Sequence, residues 1–266
     1  MARKLKKLLL LSSFLLLALL NPLQAEAYNW CGDAYACWLM DIDEDPLTDS
    51  SGNSRPLTKK SAGEPSFDLG GGQFDNAYSF DGGNDFADNA AMQSFASEQG
   101  TITIWAQSDA ATLSSNNWFV GRNAGGNNAG DLGFFIDNDD SEKYAFLIQD
   151  GSSTIFIKTT GTLDDTDYHH LAGVWDKNGG AGSSKIYFDG VLQTDTGAAI
   201  ELKAHAALDF TIGNQNDAGG DAWDGSLDEI GVFVTVLTRT NINDILDNGL
   251  YDAAAAPTFV PKMMMF

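Results

Sequence analysis

Apolar and polar residues alternate with a period of two along most of this chain, and that pattern limits its fold more than any other feature. Thr101-Ile-Thr-Ile-Trp105 alternates cleanly, as do Ser153 to Lys158 and Lys185-Ile-Tyr-Phe188. A period of two sends successive side chains to opposite faces of an extended strand. Further segments of this kind are Cys37–Met40, Ala77–Phe80, Trp118–Gly121, Leu132–Asp137, Tyr144–Gln149, Tyr168–Asp176, Val191–Thr194, Leu208–Gly213 and Leu227–Val236. Gly, Asn and Asp separate them, and these are turn residues. Asp189-Gly190, between Ile186-Tyr-Phe188 and Val191-Leu192, is the pair that a type I′ hairpin turn demands. About a dozen short strands predict an all-β sandwich or closed barrel. No repeat of 20–50 residues suggests a solenoid or propeller. Residues 41–75 are poor in strand signals and read as a long structured loop.

One helix interrupts the pattern. Ile242, Ile245, Leu246 and Leu250 share a face, Thr238 is placed to cap the start, and Gly249 is placed to end it. The spacing predicts a short helix from Arg239 to Asn248, laid against the sandwich.

The two ends read differently from the body. Arg3, Lys4, Lys6 and Lys7 precede an apolar run from Leu8 to Leu20, and Ala25-Glu-Ala27 supplies small residues for cleavage. This is the order of a secretory signal, and the run is too short for the roughly 20 residues that span a bilayer. Residues 1–27 are therefore expected to be removed, residues 28–252 to form the domain, and residues 253–266 to be a linker with an apolar tail. The protein is expected outside the cell or on its surface, with no membrane span after cleavage.

Without residues 1–27, 11 basic and 36 acidic side chains remain, a net charge of −25. Such an acid excess excludes nucleic acid as a partner, which requires clustered Lys and Arg. Thirty of the acids are Asp, a turn residue and a ligand of hard cations. Cys31 and Cys37 are the only cysteines, and export makes a disulfide between them the expectation.

Several strings then come in a telling order. Asp49-Ser-Ser-Gly-Asn53 is followed by Ala77-Tyr-Ser-Phe-Asp-Gly82, Thr101 to Trp105, and Tyr168-His-His-Leu-Ala172 with Trp175-Asp176. Lys185 to Gly190, Thr211-Ile-Gly213 and Asp224-Gly-Ser-Leu-Asp-Glu-Ile-Gly-Val-Phe233 complete the series before the capped helix. Over about residues 36–251 the chain resembles the laminin-G-like branch of the concanavalin A-like jelly rolls. It departs at Tyr168, where the family usually has Trp, and at Asn241, where the helix capping box usually has Glu. The resemblance implies a two-sheet antiparallel jelly-roll sandwich with one short C-terminal helix. It also implies a structural calcium ion joining the early loop to the late strand, here through Asp49, Asn53 and Asp228, and a surface that binds glycan or protein.

Chemistry can be weighed residue by residue. The Glu-x-Asp-x-Glu string that puts a nucleophile and an acid on one face of a strand is absent. His169 and His170, adjacent on a strand, point to opposite faces and cannot share a metal. Asp41, Asp43, Asp45 and Asp49 do not make an EF-hand, because Pro46 stands where Gly is required. For sugar recognition, Trp118, the neighbouring Arg122 and Trp223 are the candidate rim residues, since Gly, Asn and Asp flank both rings. A place in the core is the competing reading for either Trp; Trp105 and Trp175, in alternating strands, read as core. The chain is thus expected to be a secreted, non-catalytic module for a glycan or glycoprotein surface, with an adhesion or structural surface or virion protein as the alternative and a glycoside hydrolase third.

Overall fold

The computed structural model describes residues 28–60, 64–110, 115–126, 128–163, 165–216 and 221–251. The expected signal segment 1–27 and the tail 253–266 lie outside the described residues. Among the described residues there are fifteen strands: β1 Ala36–Trp38, β2 Thr58–Lys59, β3 Ser66–Asp68, β4 Ala77–Asp81, β5 Ala87–Asn89, β6 Gln99–Ser108, β7 Asn117–Arg122 and β8 Leu132–Asp137, then β9 Lys143–Gln149, β10 Thr154–Lys158, β11 Tyr168–Asp176, β12 Ser184–Phe188, β13 Val191–Gly197, β14 Phe210–Ile212 and β15 Asp224–Phe233. One α-helix, α1, spans Arg239–Asn248.

The strands make two antiparallel sheets. The eight-stranded sheet has the order β13-β12-β11-β6-β15-β4-β3, with β1 paired to β15. The seven-stranded sheet has the order β10-β9-β8-β7-β14-β5-β2. The inner faces interleave in one core that includes Phe80, Ile102, Ile104, Phe119, Phe134, Phe146, Leu171, Trp175 and Trp223. Trp38 from the first sheet stacks on Phe210 from the second, with ring centroids 5.6 Å apart. Burial of these alternating faces is the main force holding the layers together. The architecture is the all-β two-sheet jelly-roll sandwich with one helix, as the pattern and the resemblance imply.

The helix serves the outer side of the first sheet. Ile242 and Ile245 are buried with Tyr187, Phe233, Leu237 and Leu250 in a second apolar cluster. Cys31 and Cys37 are bonded, with Cα atoms 5.4 Å apart, and both belong to this cluster. The bridge joins a short 3-10 turn, Trp30–Asp33, to β1, so the start of the domain is fastened beside the helix. Asn241 does what Glu does in the usual capping box: its side chain accepts from the Thr238 N–H at 2.9 Å, while Thr238 accepts from Asn241 N–H.

The stretch 41–75 departs from its reading as loop. It contains β2 and β3, which are two and three residues long and lie at the edges of the two sheets. Strands this short have no room to display a period.

Candidate functional site

The outer face of the seven-stranded sheet is apolar over its β7–β10 half. In β8, Phe134 and Ile136 point to the core, which sends Phe135 outward; in β9 and β10 the same alternation sends Ala145, Leu147 and Phe156 outward. Register sets them side by side: Trp118 is opposite Phe135, Phe135 opposite Ala145, and Leu147 opposite Phe156. The rings form a near-parallel series. Trp118 and Phe135 stack at 4.1 Å and 12°, Phe135 and Phe156 at 5.6 Å and 10°. Trp118 lies directly on the backbone of β8, where a Cβ on Gly133 would come within 2.3 Å of its ring. Only glycine permits that approach. Trp118 and Phe135 are buried at 4% and 5% exposure, while Phe156 ends the series with 41% of its surface in solvent. Lys158 Nζ sits 4.5 Å from the centre of the Phe156 ring.

An amide-rich pair of loops adjoins this face at the ends of β7 and β14. Asn123, Asn128, Gln215 and Asn216 supply most of it. Asn216 Nδ2 donates to Asn123 O at 2.8 Å, Gln215 Nε2 to Asn123 Oδ1 at 3.2 Å, and Asn128 N–H to Gln149 Oε1 at 3.3 Å. Asp131 is fully buried beneath them and accepts from Asn123 and Asn128 side chains, with His205 Nε2 3.3 Å away. A set of carboxamides beside an apolar ring is the equipment for holding sugar hydroxyls against sugar C–H groups.

Arg122 holds this region together from inside instead of standing at its rim. It is fully buried, and its guanidinium donates to four backbone carbonyls: Gly130 at 2.8 Å, Met92 at 2.8 Å, Lys203 at 3.1 Å and Phe95 at 3.3 Å. Burial pushes its pKa down to about 10 against the pull of nearby Asp131. Trp223 is likewise not at a rim. It is fully buried in the main core, edge-on to Phe119 at 5.0 Å. The Gly and Asp composition around it in the sequence does not report the direction of the ring. Of the three rim candidates only Trp118 reaches the outer face. Trp105, read as core, lies on the outer face of the first sheet, packed on Phe74 and His170. Phe135 and Phe156 were not singled out in the sequence. The signal was the apolar residues on both faces of Phe134-Phe135 and Ile155-Phe156-Ile157, which a strand with one solvated face does not need.

The three calcium candidates are divided. Asp49 accepts three backbone N–H groups, from Cys37 at 3.0 Å, Ser51 at 3.0 Å and Arg55 at 2.9 Å. Asn53 belongs to the same loop and donates to Ala34 O at 3.0 Å. Asp228 shares none of these partners. It is fully buried on the outer face of the first sheet, where Oδ2 accepts from Phe74 N–H at 2.9 Å and Oδ1 has no hydrogen-bond partner. Among the described residues no three His, Cys, Asp or Glu side chains are grouped to hold a metal.

Asp228 and its neighbour Glu229 form an acidic pair with altered titration. Burial, reinforced by the charge of Glu229, raises the Asp228 pKa well above the usual range. Burial raises Glu229 to about 8, although the Leu250 N–H opposes it. On the same outer face, burial lowers His170 to about 4. The two histidines do point to opposite faces, and the outward one is the more buried, because residues 71–74 cover it through Trp105 and Tyr168. The ring of His169 lies between Asp189 and Asp165, at 2.9 and 3.0 Å from its two nitrogens.

Comparison with known proteins places this geometry in a lineage. Residues 81–243 match a laminin G family model described as concanavalin A-like lectin/glucanases superfamily. No curated protein matches the sequence. Among solved structures, domain 4 of AbnA, a GH43 extracellular arabinanase from Geobacillus stearothermophilus in complex with arabinotriose, superposes with a TM-score of 0.63 and 18% identity, covering 80% of this chain and 98% of that one. The binding domain of Paraclostridial Mosquitocidal Protein 1 gives 0.59 and 11%, covering 82% and 52%. Trypanosoma rangeli sialidase gives 0.55 and 11%, covering 81% and 32%. The chain therefore spans about half of the second protein and a third of the third. At these identities the likeness is one of fold.

Proposed function

This chain belongs to the concanavalin A-like lectin/glucanases superfamily, and from that premise we propose that it is an exported, non-catalytic module that binds a carbohydrate chain on the outer face of its seven-stranded sheet. Because the fold hosts lectins and hydrolases alike, the site has to carry the argument. The observation that carries it is the series Trp118–Phe135–Phe156, which crosses the sheet from β7, where the amide-rich loops begin, to an exposed ring on β10. Phe156 offers the apolar contact for one sugar ring, and Asn128 and Gln215, both partly exposed and nearer the middle of the sheet, offer amides to hydroxyls of other units of the chain. The arabinanase domain bound to arabinotriose is an analogy of fold that agrees with this reading.

The non-catalytic reading has its own support. Asp228 and Glu229 are the carboxyl groups best tuned for proton transfer, and such tuning often marks a catalytic site. Both are enclosed, with one oxygen each committed to a backbone N–H. A glycosidase pair must instead flank a bound sugar.

A structural calcium ion remains part of the proposal. Asp49 is satisfied by the loop that it closes, and Asn53 helps to close it, so the support rests on Asp228. A buried carboxylate oxygen with no hydrogen-bond partner is costly and is stabilised by a cation. If bound, the ion would neutralise that carboxylate and brace β15.

A glycan array tests the central claim. Binding of at least one sugar family, weakened tenfold or more by Phe156→Ala with the melting temperature unchanged, is the expected result. Release of reducing ends from a bound polysaccharide would overturn the non-catalytic reading.

A further inference from the structure

We infer that the carbohydrate this face takes is an uncharged chain, and that glycans bearing carboxylate or sulfate groups are excluded from it. The inference rests on the carbohydrate-binding reading of the same face and adds the class of sugar.

The argument is a balance of charge. Acidic sugars are recognised by cations with free donors, and arginine is favoured because its planar fork meets a carboxylate or sulfate with two parallel bonds. Among the described residues this face has no such donor to give. Arg122 lies beneath it and is committed to four backbone carbonyls. The other two arginines of the described residues also donate to main-chain oxygens, Arg55 to Tyr35 and Arg239 to Gly190. The two lysines at the rim are held by acids. Lys158 Nζ is 2.6 Å from Asp137 and 3.0 Å from Asp140, and Lys143 Nζ is 3.3 Å from Asp140.

Three acids of the face are engaged as well. Asp131 is buried under amide donors, and Asp137 and Asp140 face the two lysines. No unpaired cation is left at the rim to select an acidic ligand, whereas an apolar ring and carboxamides are present, and the exposed Asp139 adds to the negative charge there. Around the face, the net charge of −25 that remains without residues 1–27 repels polyanions over about 8 Å at physiological salt. Exclusion of acidic glycans thus comes from repulsion together with the absence of a free guanidinium, and discrimination of this kind is typical of specific sites.

The test titrates the full exported chain with four soluble polymers at low and at high salt: a neutral β-glucan or arabinan, polygalacturonate, a sulfated glycan, and chitosan. The neutral polymer is expected to bind at least tenfold more tightly than either acidic one, with an affinity that does not change with salt. Phe156→Ala should abolish that preference. Asp140→Asn, which removes a partner from both Lys143 and Lys158, should raise affinity for polygalacturonate severalfold at low salt. Tightest binding to an acidic polymer or to chitosan, weakened by salt, would overturn the inference while leaving carbohydrate binding intact. Binding of none of these polymers or of any array glycan would overturn the carbohydrate reading, and the inference with it.

Discussion

Glu229 sits in the bulge of β15 with a left-handed backbone, φ 51°, at the point where the register with β6 shifts between Asp228 and Gly231. A bulge spends an extra residue and re-aims the side chains beside it. Here it lets two consecutive carboxyl groups reach different partners, Phe74 N–H for Asp228 and Leu250 N–H for Glu229. A consequence in pH follows. Glu229 has its pKa raised from 4.5 to about 8, so its unfolded form ionises first, and stability is lost as pH rises through that interval. His170 is shifted the other way, from 6.5 to about 4, so stability is lost as pH falls through that one. Between about pH 4.5 and 6.5 these two slopes oppose each other, and Asp228, raised in the same sense as Glu229, tips the balance, so the melting temperature should fall gently with rising pH there and more steeply above pH 6.5. Glu229→Gln should remove much of the alkaline fall. A wild-type profile that keeps rising from pH 6 to 8, measured by scanning calorimetry, would show that Glu229 is ionised in the fold. His169 adds to the alkaline loss: burial lowers its pKa, but Asp189 and Asp165 outweigh burial and leave it raised.

Between elements, the tightest dependence is that of the β12–β13 turn on α1. Asp189 and Gly190 both have positive φ, 46° and 71°, as the type I′ reading of Asp-Gly requires. What the sequence did not reveal is that the helix rests on this turn. A Cβ on Gly190 would lie 2.3 Å from Asn243 Oδ1 and 3.1 Å from Leu246 Cδ2, and Arg239 Nε donates to Gly190 O at 3.1 Å. Gly180, also at positive φ, has nothing within 4 Å of its Cβ position. Gly180→Ala should cost only the backbone strain, about 1 kcal/mol. Gly190→Ala should cost about 1 kcal/mol more than that, because the Asn243 and Leu246 side chains of α1 must also give way. Denaturant melts of the two variants measure the difference; equal losses would show that the helix does not depend on the turn. Element boundaries were legible in β8 and β11, while β6, read as Thr101 to Trp105, runs on at both ends to Gln99–Ser108. They were not in β2, β3 and β5, which have two or three residues and are held by their partners alone.

For the molecule as a whole, a calcium ion at Asp228 would appear as linkage. A ligand at one hundred times its dissociation constant adds about 2.7 kcal/mol to the folded state. In a domain of this length that corresponds to about 5–10 °C. Chelation should lower the melting temperature by that amount, and calcium should restore it better than magnesium, which gives up its water reluctantly. Asp228→Asn should abolish the response. Identical melts with chelator and with excess calcium, after verified metal removal, would return Asp228 to a purely protonated, hydrogen-bonded role.

The sequence by itself determined the all-β class, the capped helix, the Asp189-Gly190 hairpin and the cysteine pair, while the choice of a two-sheet sandwich over a closed barrel came from the family resemblance. The first four follow from local spacing, because strand and helix periods, turn chemistry and a lone pair of thiols are properties of short stretches of chain. Only the tertiary structure decided which rings meet solvent. Trp118 and Trp223 have similar Gly, Asn and Asp neighbours, yet one stacks on the outer face and the other fills the core. Arg122 has the composition of a rim residue and the position of an internal brace. Facing is set by register against strands far away in sequence, such as β8 against β9 and β9 against β10, and a slip of one residue would reverse it.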